Sequence, residues 1–450
     1  MEQWLSELTR AWFFANGLGD AINPPIKAKL SELSFWLLGA GIIGLVGFFI
    51  YRWIDLRQLK HIGNATQPTD LEGMTTDLYE KKRKRKKSRF WKMFLSRTFS
   101  WGLQFVYVIV GMPFLVGYAK AYLSDGLVYM GLMGIGWLLN MFLTKIFSLW
   151  TPALPFRFHV QGRSWQKGLM IWQAWGMVAW AGPVYFLATL GPTGWMGSVA
   201  FLWVSQILQL VFFIYTTKKK LTPYQQYEGL SDAFKENLHT YLQSQDISDD
   251  EVGVLSGMKM GPNAFATGIF GYRMIAMTEE LVKGYQDPTN SDFILKLSDE
   301  SLESVIAHEV GHIKGYHVLK SVAFGAFFSS LTTIAIYYLF SKGGLFSPHQ
   351  FLFASDTGAQ IFSFYGQSLF NVMLMYPLTF IMISLTRKHE WEADTHLLNT
   401  NGCKKGYEFF HQIRHIAPVS NDPLWDRCNS THPAPEIREK RMKKWSEEHC

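Results

Sequence analysis

Residues 297–312 of this 450-residue chain read LSDESLESVIAHEVGH, a stretch in which two histidines flank a glutamate. The Ser-Asp pair near its start suits a helix N-cap, and the apolar residues that follow keep helical spacing. His308 and His312 then lie one turn apart on one face, where two imidazoles can bind a single Zn²⁺. Glu309 lies beside them and can act as general base on a metal-bound water. The stretch therefore predicts an amphipathic helix that carries part of a zinc site.

A catalytic zinc site normally takes three protein ligands plus water, so a third ligand must come from elsewhere. The three cysteines form no Cys-x-x-Cys pair, which argues against a thiolate site. The metzincin pattern requires a histidine at position 318, but that residue is Val318, and His317 comes one place too early. The remaining candidates are carboxylates.

A second charged stretch supplies those carboxylates. Residues 387–394 read RKHEWEAD. If they continue a helix, Glu390 and Asp394 share a face, while Glu392 points nearly opposite. One acid on the shared face can bind the metal while the other holds a ligand histidine through a hydrogen bond. A charged helix end after a membrane span is the structural alternative.

Composition places these motifs in a membrane protein. The chain is 48% hydrophobic and 16% aromatic, and its 18% of charged residues lies below the roughly 25% of soluble globular chains. Seven apolar runs have roughly the length needed to cross a bilayer. They cover about residues 33–52, 101–119, 127–147, 168–190, 194–215, 321–340 and 366–385. The N-terminus does not resemble a cleaved signal peptide, so we expect the first span to remain in the mature protein.

The distribution of Lys and Arg predicts the orientation of the chain. The run from Lys81 to Lys87 lies in the loop 54–100, and further basic clusters follow the fifth and seventh spans. By the positive-inside rule, these segments face the cytoplasm. A nucleic-acid-binding patch is the competing interpretation, but a topogenic loop explains the same residues without a partner. We therefore expect contact with the lipid bilayer and none with nucleic acid.

These motifs resemble the integral-membrane gluzincin peptidases, the family that includes the type I CAAX prenyl protease and the bacterial heat-shock protease HtpX. Four stretches match in family order: 263–265, 297–312, 390–394, and 430–433 followed by Arg438. Five spans before the zinc motif and two between that motif and the glutamate is the layout of the CAAX protease branch, whereas HtpX has two and two.

The resemblance implies a role for each matching residue. His308, His312 and Glu390 are the ligands of one zinc ion per chain, with Glu309 as the base and Asp394 holding a ligand histidine. A departure from the family lies at 389–392, which reads HEWE where the CAAX branch usually has an aromatic residue on each side of the ligand. That departure leaves the substrate open.

The other matching residues have roles that physical chemistry supports. Asn263, Ala264 and Phe265 predict a short extended segment whose exposed edge can pair with a substrate backbone, although a plain structural strand fits equally. His432 and Arg438 are donors that can stabilise the oxyanion formed at a scissile carbonyl. Without the family context, both are ordinary surface residues.

The predicted fold is mainly α: a polytopic membrane protein with about seven transmembrane helices and a cytoplasmic gluzincin-type zinc metalloprotease domain with a small β element. Four parts follow along the chain. They are an N-terminal membrane region (1–215), a cytoplasmic metalloprotease domain (216–320), two transmembrane helices (321–385), and a cytoplasmic C-terminal part that completes the zinc site (386–450).

The expected activity is zinc-dependent hydrolysis of peptide bonds in membrane-associated, lipidated or misfolded proteins. A catalytically inactive membrane scaffold or chaperone-like homologue is the alternative, against which the intact Glu309 argues. A seven-span receptor or transporter is a third, and the spans lack the ionisable pair of an ion-coupled transporter. The resemblance implies prenylated substrates in eukaryotes or misfolded ones in bacteria. We expect a bacterial inner membrane rather than the ER, because likeness in the first five spans stops at their number.

Overall fold

The computed structural model describes residues 27–71, 74–106, 159–160, 194–256, 258–259, 261–269, 271–286, 294–340, 356–401 and 406–449. The helices are α1 (Lys27–Asn64), α2 (Thr76–Val106), α3 (Gly194–Lys218), α4 (Asp232–Ser244), α5 (Glu279–Lys283), α6 (Asp299–Lys314), α7 (His317–Phe340), α8 (Asp356–Asn401), α9 (Gly406–Ile416), α10 (Pro423–Asn429) and α11 (Pro435–His449). The strands are β1 (His159–Val160), β2 (Leu221–Pro223), β3 (Val252–Leu255), β4 (Met258–Lys259), β5 (Ala264–Ile269), β6 (Tyr272–Thr278), β7 (Tyr285–Gln286) and β8 (Ile294–Leu295).

A four-stranded sheet supports the candidate site. Its strand order is β2-β3-β6-β5, in which β3 and β6 are parallel and the other two pairs are antiparallel. Strand β5 therefore forms one edge of this sheet. Two short antiparallel pairs, β1 with β4 and β7 with β8, complete the described strands.

The main core forms between this sheet and helices α4 and α6. Ser231 caps α4 by accepting a bond from the Phe234 amide, and Ser298 caps α6 by accepting one from the Ser301 amide. The core contains Phe234, Leu238, Leu242, Val252, Val254, Ile275, Met277, Leu302, Ile306 and Val310. Helix α6 packs against β5 and also against α8, so it lies at the centre of the folded part.

The basic segment is helical and packs against the C-terminal part of the chain. Nζ of Lys82 donates to the carbonyl oxygen of His415 over 2.8 Å, and Nζ of Lys86 donates to Oδ1 of Asn421 over 2.9 Å. Burial lowers the pKa of Lys86 to about 8. The predicted cytoplasmic loop 54–100 is thus joined directly to residues that follow α8.

One helix in the described part of the chain is long and apolar enough to cross a membrane: Met196–Lys218, with 23 residues. It coincides with the predicted span 194–215. The predicted spans 33–52, 321–340 and 366–385 lie within α1, α7 and α8. The spans 127–147 and 168–190, and most of 101–119, lie outside the described residues. The mainly helical fold with a small sheet is confirmed, and the number of spans stays a prediction.

Candidate metal centre

Helices α6 and α8 meet where neither carries a large side chain. A Cβ atom added to Gly311 would lie 2.8 Å from the Cα atom of Ala393 and 3.0 Å from its carbonyl oxygen. Those distances are too short for a real Cβ atom, so only glycine fits. The contact places the histidines of α6 against the face of α8 that carries Glu390 and Asp394.

The candidate ligands direct their binding atoms at one another. The Nε2 atoms of His308 and His312 are 3.1 Å apart, and the Glu390 carboxylate oxygens lie 3.5 Å and 3.4 Å from them, respectively. In a tetrahedral zinc site with bonds of about 2.0–2.1 Å, neighbouring ligand atoms are about 3.3–3.4 Å apart. The two nitrogens and the carboxylate therefore already have the spacing that one metal ion requires.

Asp394 holds the far side of the His308 ring. Its Oδ1 lies 3.0 Å from Nδ1 of His308, the position from which a metal-binding imidazole donates its proton. Burial, the largest influence, and the guanidinium of Arg438 both oppose the imidazolium, but Asp394 and Glu390 outweigh them and raise the pKa of His308 to about 9. The structure thus places Asp394 where the sequence predicted a supporting acid.

Arg438 lies against both acids. Its guanidinium donates to Oδ2 and Oδ1 of Asp394 over 3.0 Å and 2.6 Å, and another of its nitrogens lies 3.1 Å from Oε2 of Glu390. Burial favours the neutral form of each acid, but the cationic groups around them lower the pKa of both carboxyls. Since its donors contact these acids, the geometry favours Arg438 as a support for the ligand set over its predicted contact with an oxyanion.

His432 is the accessible member of the group. Its Nδ1 lies 2.9 Å from Oε2 of Glu390, and its side chain is 65% exposed. Glu309, by contrast, is buried on α6 beside the two histidines. A solvent-facing donor and a buried carboxylate therefore lie at the same centre.

Two residues that the sequence argument set aside also reach the site. Nδ1 of His317 lies 2.9 Å from Nδ1 of His312, and Nε2 of His317 lies 2.9 Å from Oε2 of Glu392. His317 is the first residue of α7, directly after the turn that ends α6. It lies two residues beyond Gly315, the C-cap of α6, and its contacts depend on how the chain turns from α6 into α7.

The sequence profile described as "Peptidase family M48" matches residues 232–446, which contain the whole ligand set. The match covers just under half of the chain, and this part is therefore similar to peptidase family M48. The chain is 26% identical to CAAX prenyl protease 1 of Saccharomyces cerevisiae over 260 residues, which is 52% of each protein. It is also 26% identical to a protease HtpX homolog of Sulfurihydrogenibium sp. over 210 residues, which is 40% of this chain and 64% of the relative.

A solved structure shares the fold. The crystal structure of S. mikatae Ste24p matches with a TM-score of 0.68 at 18% identity, covering 90% of this chain and 99% of that one. The chain spans about half the length of its yeast relative CAAX prenyl protease 1 and under two thirds of the HtpX homolog. The predicted resemblance to the CAAX protease and HtpX family is confirmed.

In the region that the M48 model matches, the predicted extended segment leads into β5, the edge strand of the sheet among the described residues. The carbonyl of Asn263 accepts a bond from the Thr278 amide over 2.8 Å, and the Asn263 amide donates to Thr278 Oγ1 over 2.9 Å. Because bonded and non-bonded pairs alternate in antiparallel strands, the N–H and C=O of Ala264 face away from β6. The ring of Phe265 packs against Phe213 of α3. Of the three predicted residues, Ala264 thus directs its main chain to the side of β5 on which no described strand lies.

Proposed function

We propose that this chain is a membrane-embedded zinc metalloendopeptidase. The convergence of His308, His312 and Glu390 at the ligand spacing of a tetrahedral site, within an M48 region, carries the proposal. Two nitrogens and one carboxylate would suit zinc, since catalytic zinc sites take three protein ligands and a water. These residues would hold a zinc ion that, when bound, would supply a Lewis acid and lower the pKa of a water molecule to about 7.

The side chains of the M48 region supply the proton transfers. Glu309 accepts the proton of the attacking water and passes it to the leaving amine, so no covalent intermediate is needed. His432 is placed to donate to the oxyanion of the scissile carbonyl, because it reaches the centre and faces solvent. Arg438 and Asp394 hold the ligands in position from behind. The open edge at Ala264 holds the substrate in extended form through its main chain.

The site is complete only when two separated parts of the chain pack together. The histidines belong to α6, whereas Glu390 belongs to α8, and α7 lies between them. Zinc binding is therefore coupled to the packing of the helices. This arrangement supports cleavage next to the membrane, with membrane-associated proteins or peptides as the proposed substrates.

Contacts of the basic segment support a cytoplasmic active site. Because Lys82 and Lys86 bind residues of the C-terminal part, the basic segment and the metal centre share one side of the membrane. The positive-inside rule assigns that side to the cytoplasm. Prenylated substrates follow by analogy with the name CAAX prenyl protease 1, and misfolded membrane proteins are the alternative class.

Mass spectrometry of the cleavage products tests the activity. The purified chain in nanodiscs is incubated with a C-terminally prenylated peptide and with the same peptide lacking the lipid. We expect wild type to cleave the lipidated peptide, and Glu309→Gln to keep its zinc while losing several orders of magnitude in rate. Equal rates in the two proteins would exclude Glu309 as the base. A zinc-loaded wild type that cleaves neither these peptides nor an unfolded membrane protein would favour the inactive scaffold.

A further inference from the structure

The two candidate ligand histidines have matching surroundings. Each ring points Nε2 at the metal centre and Nδ1 away from it. Nδ1 of His308 meets the carboxylate of Asp394 at 3.0 Å, whereas Nδ1 of His312 meets Nδ1 of His317 at 2.9 Å. His317 therefore contacts His312 in the same way that Asp394 contacts His308.

Only one arrangement of protons satisfies this chain of contacts. Nε2 of His312 must keep its lone pair for the metal, so the proton of that ring lies on Nδ1 and is donated to His317. Nδ1 of His317 must then accept, which places the proton of His317 on Nε2. That N–H points at Oε2 of Glu392, 2.9 Å away, and an ionised carboxylate only accepts. Each donor therefore has an acceptor, from the metal centre to the surface.

We propose that His317 and Glu392 are positioning residues for the ligand His312, with Glu392 selecting the His317 tautomer that can accept the His312 proton. This inference rests on the proposed zinc site but concerns metal affinity, not the proton transfers of hydrolysis. Neither residue contacts the reacting atoms. Their effect is to fix the orientation of His312 and to make it a stronger ligand.

Packing around His317 fixes its ring in the required place. The residue is 3% exposed, and its ring stacks on that of His389 with centroids 4.3 Å apart and an interplanar angle of 4°. Gly315 lies under the same ring, since a Cβ atom there would come within 2.2 Å of Nε2 of His317. The turn between α6 and α7 is thus built around this imidazole.

Zinc affinity, measured by competition with a chelator on the purified full chain, tests the inference. His317→Leu keeps the bulk of the ring but removes the acceptor, and we expect roughly 10- to 100-fold weaker zinc binding. His317→Asn branches at the same carbon and retains an acceptor oxygen, so it should recover part of that loss. A purely structural role for His317 would not distinguish these two variants at equal thermal stability.

Glu392 gives a second test that does not depend on the folding of His317 variants. Its side chain is 41% exposed, so Glu392→Leu should leave the fold intact. This variant should bind zinc several-fold more weakly than wild type. Glu392→Gln keeps an acceptor oxygen and should bind zinc more tightly than Glu392→Leu. The matched control is His239→Leu, which removes a similar contact, to Asp249, at the surface of α4. It should bind zinc like wild type.

The results separate this inference from the proposed function. Wild-type zinc affinity in both His317→Leu and Glu392→Leu would overturn the inference alone. A wild-type chain that binds no zinc would overturn both proposals. If wild type binds zinc without cleaving peptides, the zinc affinities of the variants can still be compared. Weaker zinc binding in the two leucine variants would then still support the inference.

Discussion

The guanidinium of Arg438 and the carboxylate of Asp394 form a bidentate pair, with nitrogen–oxygen distances of 3.0 Å and 2.6 Å. Both side chains are buried, and Asp394 also faces the Nδ1 atom of His308. The pair joins α11 to α8, so the last described helix of the chain is part of the ligand support.

Removing this guanidinium should therefore destabilise the site and the fold together. Arg438→Met leaves Asp394 and Glu390 as buried acids without their cation, and we expect a loss of about 3–5 kcal/mol in the free energy of unfolding. Thermal or denaturant unfolding of the purified protein measures it. Arg427→Met, at an exposed arginine of α10, is the control and should unfold like wild type. A loss below about 1 kcal/mol would contradict the support role.

The zinc content of ligand variants tests the metal centre. Purified wild type should contain about one zinc per chain, and Glu390→Ala should lose most of it, because two histidines alone do not complete the site. Elemental analysis gives the stoichiometry. Glu447→Ala, which removes an exposed glutamate of α11, should retain zinc fully. Full zinc occupancy in Glu390→Ala would remove that residue from the ligand set.

Helices α6 and α8 lie too close together at Gly311 to accommodate a side chain there. In Gly311→Ala, the added methyl group meets Ala393 at 2.8 Å, so α8 must move and carry Glu390 away from the histidines. We expect a loss of about 1–3 kcal/mol in stability and weaker zinc binding. In Gly102→Ala the new methyl group meets nothing within 4 Å, so both properties should stay near wild type. Equal zinc affinities in the two variants would show that the contact does not position Glu390.

The open edge of β5 should bind the substrate through the amide of Ala264. Ala264→Pro removes that donor without breaking a bond to β6, so cleavage should fall by about 2- to 10-fold with zinc content unchanged. Ala264→Ser keeps the amide and should cleave at the wild-type rate. If kcat/KM of a folded Ala264→Pro protein matched that of the serine variant, this donor would have no part in substrate binding.

Labelling of single cysteines should place the metal centre in the cytoplasm. In a background without the three native cysteines, a cysteine at Ser347 should react with an impermeant maleimide from outside, and one at Ser88 should not. Ser88 is exposed on α2, the helix that packs against the C-terminal part, whereas Ser347 lies outside the described residues. The reverse pattern would place the centre on the opposite side and exclude cytoplasmic substrates.

Local spacing made much of the site predictable. His308 and His312 share a face because the helical period is a property of the backbone, and the same period puts Glu390 and Asp394 together on α8. The N-cap at Ser298 was predictable because its side chain bonds to an amide in the same helical turn. The packing of the basic segment was not predictable, because Lys82 and Lys86 bind residues more than 330 positions away.

The sequence by itself determined which residues could carry zinc chemistry, because helical spacing and side-chain chemistry are local. It left open which acid faces the histidines, and it gave Glu392 no part in the site. Only the tertiary structure decided both, through the rotation of α8 against α6 that the contact between Gly311 and Ala393 permits. That rotation turns Glu390 to the Nε2 atoms, and the turn before α7 brings His317 between His312 and Glu392. Such contacts depend on how distant elements pack, which no local pattern encodes.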